Sequence, residues 1–166
     1  MSEQIREQIR VRIGIVGGKQ VGKKSLVEEY ICKYFNGTKE SSESDKYKAS
    51  IVTNVGTIST ELSVIRDVKN SDLNGHDAFI IVSDVSDSNM HTIYIKWHSD
   101  LTYCLGHRIF IINCFNKTDI SNVPTYVFES SAPAFDISVK TTSGINNMLT
   151  FVLRKITKRD NLLIFM

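Results

Sequence analysis

Apolar residues along this chain gather in short, nearly unbroken runs that alternate with stretches where they recur every three or four positions. The runs read as buried strands, and the three-to-four spacing as helices with one buried face. Residues 11–16 (VRIGIV) predict a first buried strand, and residues 23–35 a helix with Leu26, Val27, Tyr30, Ile31 and Tyr34 inward. Residues 36–46 (NGTKESSESDK) are polar, Ser-rich and without period, which predicts a mobile loop. Two β-rich runs follow, 47–53 and 57–67, with Asn54-Val55-Gly56 as the hairpin turn between them. Residues 78–85 (AFIIVSDV) form another buried strand. A helix over 90–105 carries Ile93, Trp97, Leu101, Cys104 and Leu105 on one face and ends at Gly106. Residues 108–114 (RIFIINC) and 134–139 (AFDISV) are the last strands, and 122–131 holds a short helix started at Pro124. Ser143 caps a final helix whose buried stripe is Ile145, Met148, Leu149, Val152 and Ile156.

Strands that alternate with helices imply a largely parallel sheet covered on both faces. The expected fold is therefore an α/β three-layer sandwich, about six-stranded and mostly parallel, as a single domain over residues 1–166. With 166 residues, 42% of them hydrophobic, there is enough chain for one proper core. The net charge of +2 is too mild to argue for nucleic acid or an anionic membrane as partner. The basic run at 154–159 (RKITKR) reads as the solvated end of a helix, where cations suit the helix dipole. Cys32, Cys104 and Cys114 are an odd number, each in an apolar run and none at metal or redox spacing, so all three are expected to be reduced core thiols. The first ten residues hold no apolar signal region, no run approaches the ~20 residues of a membrane span, and the C-terminal NLLIFM has no Cys to lipidate. A cytoplasmic chain without a lipid anchor is the expectation.

Residues 17–25 read GGKQVGKKS, a phosphate-binding loop in every position but one. In the pattern G-x-x-x-x-G-K-[ST], backbone N–H groups cradle phosphates, the Lys reaches the outer ones, and the hydroxyl ligates Mg²⁺. Gly17, Gly22 and Lys23 fit, and Lys24 stands where the hydroxyl belongs. Ser25 lies one residue on, rotated by about 100° around a helix. Asn116-Lys117-Thr118-Asp119 follows a buried strand directly, where the carboxyl edge of a parallel sheet opens to ligand. An Asp there accepts from the N1–H and 2-amino groups of guanine, donors that adenine lacks. Ser138-Val139-Lys140 follows the last strand, where a backbone N–H meets the guanine O6. Phe35, twelve residues beyond Lys23, either lies against the purine or plugs the core. Taken singly, Asn116 and Asp119 also suit a turn, and Lys140 a solvated surface. The histidines show no metal-binding spacing.

GGKQVGK (17–23), NKTD (116–119) and SVK (138–140), with KWHSDL (96–101) as a weaker match, make the chain resemble a Ras/Rab-type small GTPase over nearly its full length. That resemblance implies a hydrolytic switch, and four of its parts are altered here. Lys24 replaces the Mg²⁺-binding hydroxyl, and Lys19 replaces a Gly beside the attacking water. The family's D-x-x-G reads Asp67-Val68-Lys69-Asn70, and its water-orienting Gln is Ser71. Only ten residues, 68–77, separate Asp67 from the next strand, roughly half the family's length, so the switch II helix is expected to be missing. Between Lys39 and Val52 there is no Thr for the first switch; Thr38 is too early, and Ser41, Ser42 or Ser44 substitute weakly.

Every loss concerns the third phosphate and its metal, while the guanine half is whole. The resemblance therefore implies a nucleotide site of Gly17, Lys19, Gly22, Lys23, Lys24, Ser25, Phe35, Asn116, Lys117, Asp119, Ser138, Val139 and Lys140. GDP or GTP is the expected ligand, Mg²⁺ is doubtful with Asp67 its one candidate residue, and no catalytic residue is assigned. The expected role is a binding or adaptor module with protein partners and with impaired or absent GTP hydrolysis. Two alternatives stand beside it: a nucleotide-free scaffold, and a slow GTPase in which Asp67 and the serines of 41–44 hold Mg²⁺ through water.

Overall fold

The computed structural model describes residues 8–69, 72–122 and 132–166. In chain order its strands are β1 (Ile9–Gly17), β2 (Thr38–Lys39), β3 (Lys46–Thr53), β4 (Gly56–Val64), β5 (Ala78–Asp84), β6 (Ile111–Asn116) and β7 (Ala134–Asp136). A run that is apolar on both faces, as Ile13, Ile15 and Val16 are, needs strand neighbours on both edges and cover on both sides. Accordingly β1 lies inside the sheet, with all three of those residues fully buried. It pairs in parallel with β4 on one edge and β5 on the other. The full order is β2-β3-β4-β1-β5-β6-β7, antiparallel only where β3 meets β4 and β2. The strand order turns at β1, so its carboxyl end opens into a crevice.

The mostly parallel α/β sandwich is as the alternation of patterns implies, with seven strands rather than about six. The additional strand is β2, two exposed residues that set Thr38 opposite Lys48 and Lys39 opposite Tyr47. It bears no apolar pattern and lies inside the segment expected to be a mobile loop. That segment is tied down further by the Glu40 N–H donating to the Lys46 carbonyl and by the Val64 N–H donating to the Asp45 carbonyl.

The helix after the first strand begins as α1 (Lys23–Ser25) and continues as a π-helical stretch, Leu26–Cys32. Buried residues five apart, Leu26 with Ile31 and Tyr30 with Phe35, suit this wider winding, in which bonds run i→i+5. α2 (Met90–Leu105) has the expected bounds and ends at Gly106. Its buried face centres on Met90, Tyr94 and Leu101, which turns Cys104 into solvent. Of the expected core thiols only Cys114 is buried; Cys32 is half-buried and Cys104 exposed.

α3 (Ile145–Thr157) is capped by Gly144 at φ 77 with no side-chain hydrogen bond, so Ser143 is not the cap. A Cβ at Gly144 would meet the Asp136 carbonyl oxygen at 2.2 Å, which leaves glycine as the residue that fits. The backbone of Ser143 bridges to Ser138 instead. The inner stripe of α3 is Ile145, Met148, Leu149, Val152 and Leu153, with Ile156 half-buried.

Two apolar layers result. The π-helical stretch and α3 cover one face over Ile13, Ile51 and Ile58; α2 covers the other over Val16, Phe79 and Ile81. After α3 the chain returns, and Ile164 bridges Thr53 at the end of β3. Among the described residues no helix is long and apolar enough to cross a membrane. The short helix expected from Pro124, and Asn70 and Ser71 with it, lie outside the described residues.

Candidate functional site

The loop 17–22 leaves the carboxyl end of β1 through backbone angles that side chains rarely allow. Gly17 has φ 146, and a Cβ there would meet the Val82 carbonyl oxygen at 2.2 Å. Gly22 has φ 103, and a Cβ there would meet Asn116 Nδ2 at 2.3 Å. Both positions therefore accept only glycine without rearrangement. Inside the curve, Lys23 Nζ donates to the carbonyls of Gly17 at 2.7 Å and Gly18 at 2.8 Å, which points the ammonium into the loop. Burial, with Arg66 close by, pulls the pKa of Lys23 down to about 8, and Asp45 offsets part of that fall.

Asn116, the last residue of β6, ties this loop to the second motif. Its Nδ2 donates to the Val21 carbonyl at 2.9 Å, and its Oδ1 accepts from the Val139 N–H at 3.2 Å. It is 3% exposed, so these bonds replace water that is not there. Lys117, at φ 67, donates to the Gln20 carbonyl at 3.0 Å and to Asp84 at 2.6 Å. Burial works against the charged Asp84 carboxylate, but bonds from Lys117 and Ser86 outweigh it and hold its pKa below the ordinary value. Ser138, 1% exposed, donates from Oγ to Asp119 Oδ1 at 2.7 Å. That bond fixes the carboxylate while leaving its other oxygen for a ligand.

These contacts frame a cavity of about 560 Å³, lined among others by Gly22, Ser25, Asn116, Lys117, Asp119, Val139 and Lys140. A second groove of about 890 Å³ runs along the loop itself, past Gly17, Lys19, Lys23, Lys24 and Ser25 to Arg66, Lys96 and Trp97. Gly22, Ser25 and Lys117 line both. The second gathers the cations Lys19, Lys23, Lys24, Arg66 and Lys96.

A model of the Ras family matches residues 12–158. The chain belongs to the Ras family. No curated individual protein matches it. Family membership makes it a small-GTPase-like, guanine-nucleotide-binding protein.

Of the Ras-like positions, Phe35 departs from the base-binding role: it is 3% exposed within the core, with its ring edge-on to Tyr30 at 6.5 Å. The aromatic side chain that lines the base cavity is its neighbour Tyr34, 41% exposed, with Lys33 Nζ 5.7 Å from its ring centre. Asp67 is not among the residues lining the loop groove. Its Oδ1 accepts from the Lys69 N–H at 3.0 Å, and with Ser44, Asp45 and Asp72 it lines an adjoining cavity of about 420 Å³ that shares Val64 and Arg66 with the groove. Ser44 Oγ accepts from the Lys46 N–H at 3.0 Å, and Thr38 sits in β2.

Lys24 makes an ion pair with Asp45 at 3.7 Å, and Asp45 also pairs with Arg66 at 3.1 Å. Asp45 and Arg66 escaped sequence reasoning. The first sits in a Ser-rich stretch without pattern, and the second is masked by the Asp67 motif that begins beside it. Ile120, Thr142, Lys96 and Asp84 escaped as well, because only the fold brings them to the two cavities.

Proposed function

We propose that this Ras-family chain binds GDP or GTP with little or no use of Mg²⁺, hydrolyses GTP slowly or not at all, and serves as an adaptor for protein partners in the cytoplasm. The reading rests on one contrast. In the base half of the site Asn116, Lys117 and Asp119 are each held by hydrogen bonds, while cations line the half where the Ras pattern places its metal. Asp119 accepts from the guanine edge, Asn116 keeps the loop and the base motif in register, and Lys23 neutralises phosphate oxygens. Preorganised donors of this kind bind without reorganising, which favours affinity.

A divalent cation as hard as Mg²⁺ asks for several oxygen ligands in near-octahedral geometry. The described residues lining the groove offer the Ser25 hydroxyl and backbone carbonyls, and the carboxylate beside them, Asp45, is already paired with Lys24 and Arg66. Lys24 and Arg66 stand beside it, and a protonated amine repels a metal. Water attack is also poorly served. The Lys19 side chain lines the groove where the Ras pattern leaves a Gly open for the nucleophile.

Calorimetric titration with GDP and GTP, with and without EDTA, tests the binding half. Micromolar or tighter binding that survives EDTA is expected; no binding, or binding abolished by EDTA, overturns it. Phosphate release measured against Lys23→Ala tests the rest, with no excess over that variant expected.

A further inference from the structure

Asp45 holds two cations at the mouth of the loop groove. Its Oδ1 lies 3.7 Å from Lys24 Nζ and 3.3 Å from Arg66 Nη2, while Oδ2 lies 3.1 Å from Arg66 Nε. The guanidinium thus grips this carboxylate with two nitrogens, the fork that also suits phosphate. The chain places Arg66 there by alternation: Ile65 donates its N–H to the Ile15 carbonyl and packs into the α2-side core, which sends Val64 and Arg66 to the groove. Asp45 itself is anchored by its carbonyl, which accepts from the Val64 N–H at 2.8 Å. Rotation of its side chain, without movement of that backbone, is enough to release both cations.

We propose that Lys24 and Arg66 form a metal-free receptor for the outermost phosphate of a guanine nucleotide, with Asp45 as the built-in competitor that the phosphate displaces. The inference rests on the guanine-nucleotide reading above. Three observations carry it. Together the two side chains supply two positive charges, the charge that Mg²⁺ would bring. Both line the same groove as Lys23, and Arg66 is near enough to Lys23 to lower its pKa. The present partner is replaceable: Lys24, Asp45 and Arg66 are 48%, 30% and 64% exposed, and ion pairs in water hold weakly. A terminal phosphate carries more charge than one carboxylate and offers three oxygens to the same donors.

The exchange is one of hydrogen bonds and ion pairs, with no bond made or broken. Its consequence is a carboxylate freed at the start of β3 whenever the triphosphate is present. That makes Asp45 a readout of occupancy on a side chain rather than on a helix.

The test measures GTP affinity in EDTA for the wild-type chain and for Arg66→Ala, Lys24→Met and Asp45→Asn, each checked for folding by circular dichroism. Loss of a charge-assisted contact predicts about tenfold weaker GTP binding for Arg66→Ala and for Lys24→Met. Removal of the competitor predicts a severalfold gain for Asp45→Asn, a change of sign that misfolding does not produce. If all three variants bind GTP as the wild type does while Lys23→Ala abolishes binding, this receptor is wrong and the guanine-nucleotide reading survives. GTP binding by the wild type only with Mg²⁺ overturns the receptor as well. A wild-type chain that binds no guanine nucleotide overturns both.

Discussion

At the scale of single residues, the site divides into groups that hold each other and groups held ready for a ligand. Asp119 belongs to the second, since among the described residues its side chain is held by the Ser138 bond and lines the cavity. Asp119→Ala should weaken GDP binding by about a hundredfold, two lost bonds to an ionised acceptor, with little effect on folding. Ser138→Ala, which leaves the carboxylate unpinned, should cost about tenfold. Titration of both variants checks the order, and equal affinities across wild type and both variants would contradict it. Lys23 yields a prediction with a definite sign. Its pKa is about 8 in the folded chain against 10.5 for the ordinary side chain, so between those values the unfolded chain binds more protons. Stability contributed through Lys23 therefore rises with pH from about 8 to about 10.5, and the desolvation cost is present in full below that window. Urea midpoints across this range should rise by an increment that Lys23→Met lacks; parallel pH profiles for the two proteins would refute the assignment. The glycines, Lys23 and the NKTD and SVK motifs were legible in the sequence because their chemistry demands fixed residues at fixed spacing. Arg66 and Asp45 were not, since a cation before one motif and an acid in a polar loop are common everywhere. Phe35 shows the limit from the other side: two aromatic residues stand side by side, and sequence alone does not tell the one in the core from the one at the cavity.

At the scale of elements, strands were read more surely than what joins them. β1, β5 and β6 are buried on both faces and bear continuous apolar runs, so their places in the sheet follow from hydrophobicity alone. β2 is exposed and two residues long, and no pattern announces it. The π-helical stretch at Leu26–Cys32 was read as α-helix because both windings bury Leu26, Val27, Tyr30 and Ile31. The cap of α3 passed from Ser143 to Gly144 because the close approach of Asp136 leaves no room for a side chain. The connection between β4 and β5 carries a prediction of its own. Among its described residues no helix forms, yet Leu73 is 7% exposed and packs with Ile65 and Phe79 in the core beneath α2. A floppy loop would not bury a leucine. Leu73→Ala should therefore cost about 2–3 kcal/mol, the lower part of the range for a core leucine. Denaturant unfolding measures it, and a loss under about 0.5 kcal/mol, typical of surface sites, would show the segment to be loosely held.

For the whole molecule, the question is whether a nucleotide can change its shape. A ligand moves an equilibrium only by binding one arrangement better than another, so a switch needs an element with two arrangements to choose between. In the sandwich seen here Ile65, just after β4, and Leu73, partway to β5, are fastened into the apolar layer under α2. On the other side Asp45 is tied through its backbone to Val64, and β2 pairs with β3, so that flank is also part of the sheet. Among the described residues, the groups that the proposed receptor lets respond are side chains: Lys24, Asp45 and Arg66. Amide hydrogen exchange on the GDP- and GTP-loaded chain should accordingly differ by less than about twofold at residues 65–69 and 72–77, because neither ligand finds a second backbone arrangement to favour. Protection that changes by about a hundredfold there, a coupling of almost 3 kcal/mol, would reveal a backbone switch and overturn the reading of this chain as an adaptor that holds guanine nucleotide without acting on it. A change confined to side chains instead makes the surface around Asp45 the place where a partner distinguishes the loaded chain. Asp45→Asn, which lacks the carboxylate released by phosphate, then separates nucleotide binding from partner binding: it should keep the first and lose the second.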